Sequence, residues 1–171
     1  VSLLPVEYKS FFVGSNREDG LGLRLVYEDG LVSCDLDVDK RFEGYENVVH
    51  GGMLFGILDV MMWYAIFLTT RKVGLTRKTD MDFLKPVLCD TTYHARARFL
   101  RMEEKDIYAS AWIEDENHEI CAEVTALFRA KKGLPDEEFM SRFDFSDASP
   151  QVKEIFFSPP DNGSDWGSVK F

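Results

Sequence analysis

Apolar and polar positions alternate with period two along most of this chain. One apolar stretch of about twenty residues interrupts the alternation. The clearest case is 91–101, where Tyr93, Ala95, Ala97 and Phe99 share one face and His94, Arg96 and Arg98 the other. Similar patterning predicts strands at 21–27, 31–38, 74–84, 107–113 and 120–128. Glu28-Asp29-Gly30 is a hairpin signal between the first two, and Asp115-Glu116-Asn117-His118 joins the last two. Val1–Ser10 is expected as a short helix or arm, and 40–49 as a polar connection. Gly51-Gly52 marks a tight turn, after which the apolar run to Thr70 reads as a helix. The predicted order is β-β-α-β-β-β-β. One long helix in a mostly antiparallel meander implies an α+β fold, a curled sheet wrapped around that helix.

The apolar run is long enough to test as a membrane span. It carries a charge at its centre, which is costly in a bilayer, and has period-two strands on both sides. The central helix of a globular core is therefore the preferred reading. That charge is Asp59, the single charged side chain from Gly51 to Thr70. Burying an unpaired carboxylate is expensive, so a use for it is expected.

At 171 residues the chain suits one domain, divided here into a body, 1–132, and an extension, 133–171. The extension holds four of the six prolines and six of the fourteen phenylalanines, and reads as partly ordered, its aromatics docking on the core or a neighbouring subunit. Cys34, Cys89 and Cys121 have no paired spacing, which fits a reducing, cytoplasmic setting without disulfides. His50, His94 and His118 are far apart, so no metal site is expected. The net charge of −10 disfavours nucleic acid and anionic membranes. Against that background, Arg71 to Arg101 holds eight basic residues and three acidic ones. This belt makes Arg71, Lys72, Arg77, Lys78, Arg96 and Arg98 candidates for an anionic ligand.

Several motifs together resemble the hotdog-fold acyl-CoA thioesterases of the PaaI type. They are Phe42-Glu43-Gly44-Tyr45, Val48-Val49-His50-Gly51-Gly52, Leu58-Asp59, and Thr79-Asp80-Met81-Asp82-Phe83-Leu84-Lys85-Pro86. The Gly-Leu-Gly-Leu at 20–23 resembles the lead-in to that family's first strand, and the likeness covers about residues 10–130. It implies a hotdog fold and acyl-CoA hydrolysis to a carboxylic acid and free CoA, with no cofactor. Asp59 matches the family's catalytic carboxylate. Gly51 and Gly52 match the turn whose backbone N–H polarises the thioester carbonyl, His50 a residue supporting that turn, and Thr76 a hydroxyl that positions water. Asn47, Met62, Trp63, Arg77 and Lys78 are candidate contacts to substrate. One departure stands out: some members carry Asn six residues before the His, and here that position is Gly44.

Thioester hydrolysis needs a donor for the developing oxyanion and a carboxylate that attacks or activates water. Gly52 and Asp59, seven residues apart on one helix, are separated by roughly 10 Å along its axis. One thioester carbonyl cannot touch both, so the two groups are expected to come from different subunits of a homodimer. Further pairing to a dimer of dimers is left open, as is the acyl group. Two alternatives were weighed: a hotdog dimer that binds or senses acyl-CoA without hydrolysing it, and a hydratase or dehydratase. The latter needs a second suitable His near the acid, and none is apparent.

Overall fold

The computed structural model describes residues 1–158. Seven strands form one antiparallel sheet: β1 (Ser2–Leu3), β3 (Val26–Glu28), β4 (Leu31–Asp37), β5 (Gly74–Phe83), β6 (Thr92–Glu103), β7 (Asp106–Glu114) and β8 (Ile120–Ala130). Their spatial order is β1-β3-β4-β6-β7-β8-β5. Helix α1 (Gly51–Thr70) lies in the hollow of this sheet, as the α+β hotdog layout requires. Its apolar residues take both sheet-facing and flanking positions, and Leu54, Ile57, Leu58, Met61, Met62 and Ile66 are buried. Each such side chain contributes about 1.5–3 kcal/mol. The sheet supplies small residues to the other side of the contact, with Ala95, Ala97, Ala109, Ala111 and Ala122 essentially inaccessible. Small residues here let a helix studded with Met and Leu sit close to the strands. The helix is long and apolar enough to cross a membrane, and its sheet-facing side chains are occupied by this core.

The hairpin at Asp29-Gly30 is a two-residue loop with both residues at positive φ (48° and 83°), the geometry that matches strand twist. Of the two expected forms of Val1–Ser10 the structure takes the arm, and the strand expected at 21–27 is corrected. Val1–Ser10 forms no helix: it supplies β1 and β2 (Val6–Glu7), because its backbone finds distant partners. β1 pairs with β3, and β2 pairs with β9 (Phe143–Asp144), near the other end of the described chain. The strand expected at 21–27 begins only at Val26. Leu21 and Leu23 instead donate their N–H groups to the carbonyls of Phe11 and Phe12, and Gly22 sits at φ 59°.

Beyond the last long strand come α2 (Glu137–Met140), β9 and α3 (Pro150–Phe157). Phe143, Val152 and Phe156 belong to the same core as α1. The extension's aromatics thus dock on the body as far as residue 158; the remainder, 159–171, lies outside the described residues.

Candidate functional site

The start of α1 is built by His50. Its side chain caps the helix, with Nδ1 accepting the Gly52 N–H at 2.9 Å. Its carbonyl accepts from the N–H groups of Met53 and Leu54. The His50 N–H itself donates to the Phe42 carbonyl at 2.9 Å, so of the four N–H groups without a helical partner, those of His50, Gly52 and Met53 are used. The Gly51 N–H makes no such bond, and it is the donor left at the positive end of the helix. The structure therefore separates the two glycines: Gly51 offers the free N–H, and Gly52 gives its own to the cap. A side chain at Gly51 would press on the Phe83 ring, 3.2 Å from the Cβ position, and one at Gly52 on the His50 ring, 3.0 Å away.

Around this end of the helix runs an open groove of about 420 Å³, lined by Tyr45, Val48, His50, Gly51, Phe83 and Pro86 among others. Gly44 also borders it. A Cβ there would stand 3.2 Å from His50 Cα and Cδ2, so the ring of His50 crowds the space that an Asn side chain would use. Asn47 lies in the same loop at φ 62°, its N–H donated to Glu43 Oε2 at 3.0 Å.

Asp59 sits two turns further along, half-buried. Thr76, near the start of β5, donates its hydroxyl to Asp59 Oδ1 at 2.6 Å. Burial raises the Asp59 pKa above the usual carboxylate value, and the Thr76 hydrogen bond partly opposes that rise. The carboxylate is thus oriented and has lost part of its water, a state suited to a base or nucleophile.

Strand β5 links the two halves: its Thr76 end holds Asp59, and its Phe83 end covers Gly51. β5 is also an edge of the sheet, paired with β8 on one side. Arg77 lies at a bulge between Thr76 and Lys78, and both cations are exposed on this edge. Met62 is fully buried among the core residues, so it meets no open surface of the single chain. Trp63 is half-buried and stacks on Phe67 and Phe143. The remaining basic candidates are used elsewhere. Arg71 Nη2 donates to the carbonyls of Phe156 and Ser158, and its guanidinium lies over the Phe67 ring at 4.5 Å. It fastens α3 rather than facing a ligand, which corrects its reading as part of an anion site. Arg96 pairs with Glu114 at 3.0 Å and Arg98 lies over Trp112, both on the sheet face away from α1.

Sequence reasoning passed over Phe83, Tyr45 and Phe12. The exposure of Phe83 on an edge strand is visible only in the structure. Phe12 comes from an irregular segment and had no signal. Among the described residues no cluster of His, Cys, Asp and Glu could hold a metal ion. The three cysteines are buried and free, and burial pushes the Cys34 thiol up to about 12.

Residues 46–122 match the model of the thioesterase superfamily. An uncharacterised protein of Schizosaccharomyces pombe is 27% identical over 90 residues, which cover 50% of this chain and 51% of that protein. The chain spans about half the length of this curated relative. Among solved structures, zebrafish thioesterase superfamily member 2 superposes with a TM-score of 0.63 at 17% identity, over 70% of this chain and 90% of that one. The Escherichia coli PaaI protein gives 0.60 at 19% identity, over 66% and 82%. A Streptococcus mutans protein bound to acetyl-CoA gives 0.59 at 17% identity, over 64% and 88%. The similarity to the superfamily model is confined to that stretch, and the chain shares the hotdog fold of those solved structures.

Proposed function

We propose that this protein is a homodimeric acyl-CoA thioesterase that releases a carboxylic acid and free CoA in a reducing, cytoplasmic setting, without a metal or cofactor. The observation that carries the reading is the pairing of an oriented, half-buried carboxylate (Asp59 with Thr76) with a capped helix start whose Gly51 N–H is open. The first supplies the base or nucleophile and the second the oxyanion donor. In the reaction, Asp59 takes a proton from water, or attacks the thioester carbon itself. The carbonyl oxygen gathers negative charge against the Gly51 N–H and the helix dipole. On the first route the deprotonated water adds to the carbonyl carbon, collapse of the tetrahedral species breaks the C–S bond, and the CoA thiolate leaves and takes up the proton held by Asp59. On the second, the CoA thiolate leaves an acyl–Asp59 anhydride, which water then hydrolyses to the carboxylic acid and free Asp59. The relatives that bind CoA support a CoA thioester as the ligand.

The two groups belong to different subunits in this reading. They lie on one helix, eight residues and roughly 12 Å apart, too far for a single carbonyl. The sheet edge supports the partner that closes the gap. β5 is ten residues long, and Leu75 and Phe83 are exposed near its two ends. An unpaired edge of this kind is a template for another strand. Antiparallel self-pairing around Thr79–Asp80 sets the Thr76 end of one strand beside the Phe83 end of the other. Asp59 then faces Gly51 of the partner subunit. Arg77 and Lys78 lie alongside the acids at 80 and 82 of the second strand; they remain candidates for CoA phosphates, beside Lys85, which lines the groove at Gly51.

The alternative is a dimer that binds acyl-CoA without turnover, favoured by Gly44 with its occupied surroundings. Release of free thiol from short, medium, long and aromatic acyl-CoAs tests the choice. Turnover that is lost in Asp59→Asn supports the enzyme; binding with no turnover by the parent chain supports the sensor or carrier.

A further inference from the structure

Two aromatic side chains, Phe12 from before the stretch matched to the superfamily and Trp63 from within it, flank Asp59 along the helix face that carries it. At 100° and 1.5 Å per residue, Gly56 and Trp63 lie on the same side of that face. They stand about 4.5 Å before Asp59 and about 6 Å after it along the axis. The Phe12 ring lies directly on Gly56, where a Cβ would collide with it, 2.8 Å from Cε1. The ring is held edge-on to Phe11 at 5.3 Å, and its carbonyl is fixed by the Leu23 N–H at 2.8 Å. On the other side, Trp63 stacks on Phe143 at 5.8 Å and Phe67 at 5.2 Å, with Phe139 at 6.1 Å. Phe139 and Phe143 come from the C-terminal segment, which is tied to the N-terminal arm by the β2–β9 pair and pinned by Arg71. Past Trp63 the helix is closed, with Ile66 and Phe67 at 0% exposure.

We propose that Phe12 and Trp63 are the two end walls of the acyl site, so that the substrate's acyl group is compact, either short-chain or a single ring, and not a fatty chain. The proposal rests on the thioesterase or acyl-CoA-binding reading of Asp59 and Gly51. Its content is the length limit and the residues that set it. An acyl carbon next to Asp59 can extend only a few ångströms along the helix before meeting one aromatic wall or the other. The walls hold firm because each is backed by further rings rather than by solvent. Phe12 lies outside the stretch matched to the superfamily, and Trp63, inside it, is backed by Phe139 and Phe143 from beyond it, so the firmness of both walls depends on segments that flank the matched stretch.

The test compares acetyl-, hexanoyl-, benzoyl- and palmitoyl-CoA in the parent chain and in Phe12→Ala, Trp63→Leu and Phe139→Leu. The readouts are kcat/KM and, in parallel, the affinity for the corresponding non-hydrolysable acyl-CoA thioethers. The expected result is a parent that prefers acetyl, hexanoyl or benzoyl over palmitoyl. In at least one folded variant the palmitoyl-to-acetyl ratio should rise by about tenfold or more, the scale at which pocket length discriminates. Equal use of palmitoyl and acetyl by the parent, or an unchanged ratio in all folded variants, overturns the proposal. Should the parent bind the thioethers but hydrolyse nothing, the thioesterase reading fails, and the thioether affinities alone decide the walls. Phe139→Leu keeps a core-sized side chain and loosens Trp63 from behind, so the question stays answerable if Trp63→Leu does not fold.

Discussion

The Thr76 hydroxyl donates to Asp59 Oδ1 at 2.6 Å, joining the first residues of an edge strand to the single charge of the central helix. Burial raises the Asp59 pKa and this hydrogen bond lowers it. Replacing Thr76 with Val removes the hydrogen bond that opposes burial. The acidic limb of the kcat/KM profile should therefore move to higher pH in Thr76→Val. Its activity near neutrality should fall by about tenfold and recover partly as pH rises. A pH profile of both proteins checks this.

The same shift has a consequence for stability. A carboxyl whose folded pKa is raised binds its proton more tightly in the folded state. Its contribution is favourable below the unfolded pKa and is lost as pH rises through the folded pKa. Asp59→Asn should accordingly leave thermal stability at pH 7 equal or slightly higher while lowering kcat by about a hundredfold or more. Thermal unfolding of the parent and the variant at pH 4 and pH 7 reads the sign: the gap should close at the lower pH.

The His50 cap fixes the tautomer, since Nδ1 accepts from Gly52 N–H and leaves the ring proton on Nε2. His50→Ala should destabilise the fold by about 0.5–2 kcal/mol, as loss of an N-cap does, and His50→Asn should recover most of it. Denaturant unfolding of the three proteins measures this. Activity that stays low in the stable His50→Asn would show that the ring serves the site beyond capping.

Arg71 is the pin of the C-terminal segment, with one terminal nitrogen donating to two carbonyls while Nε and Nη1 are buried without a hydrogen-bond partner among the described residues. Arg71→Ala should loosen α3 and cost about 1–3 kcal/mol. Amide exchange at residues 150–158 should quicken more than exchange in β6 and β7.

The long strands were readable because each alternates against one buried helix, and the pattern of 91–101 is the burial pattern of β6. Asp59 was readable because a charge inside an apolar run has few structural excuses. The N-terminal arm was not. Two-residue strands carry no period, and Val6 pairs with Asp144, a partner that local pattern cannot reveal. The two glycines looked equivalent because the cap that consumes the Gly52 N–H depends on the rotamer of His50. Arg71 read as one member of a basic belt. Its guanidinium turns inward because α3 presents carbonyls and an aromatic face there.

The shared site is tested most directly by mixing two inactive chains. Gly51 is the first residue of α1, where proline suits a helix, and His50 at ψ 131° is compatible with a following proline. Gly51→Pro thus removes the open N–H and keeps the helix start, its ring displacing the exposed Phe83 side chain of the same, already disabled, half-site. Each homodimer, Asp59→Asn or Gly51→Pro, should hydrolyse acyl-CoA poorly. Purified heterodimers should recover about half the parent activity, because one of their two sites pairs an intact Asp59 with an intact Gly51. Confirmed heterodimers that remain as inactive as their parents, beside an active unmutated dimer, would contradict a site built from two subunits.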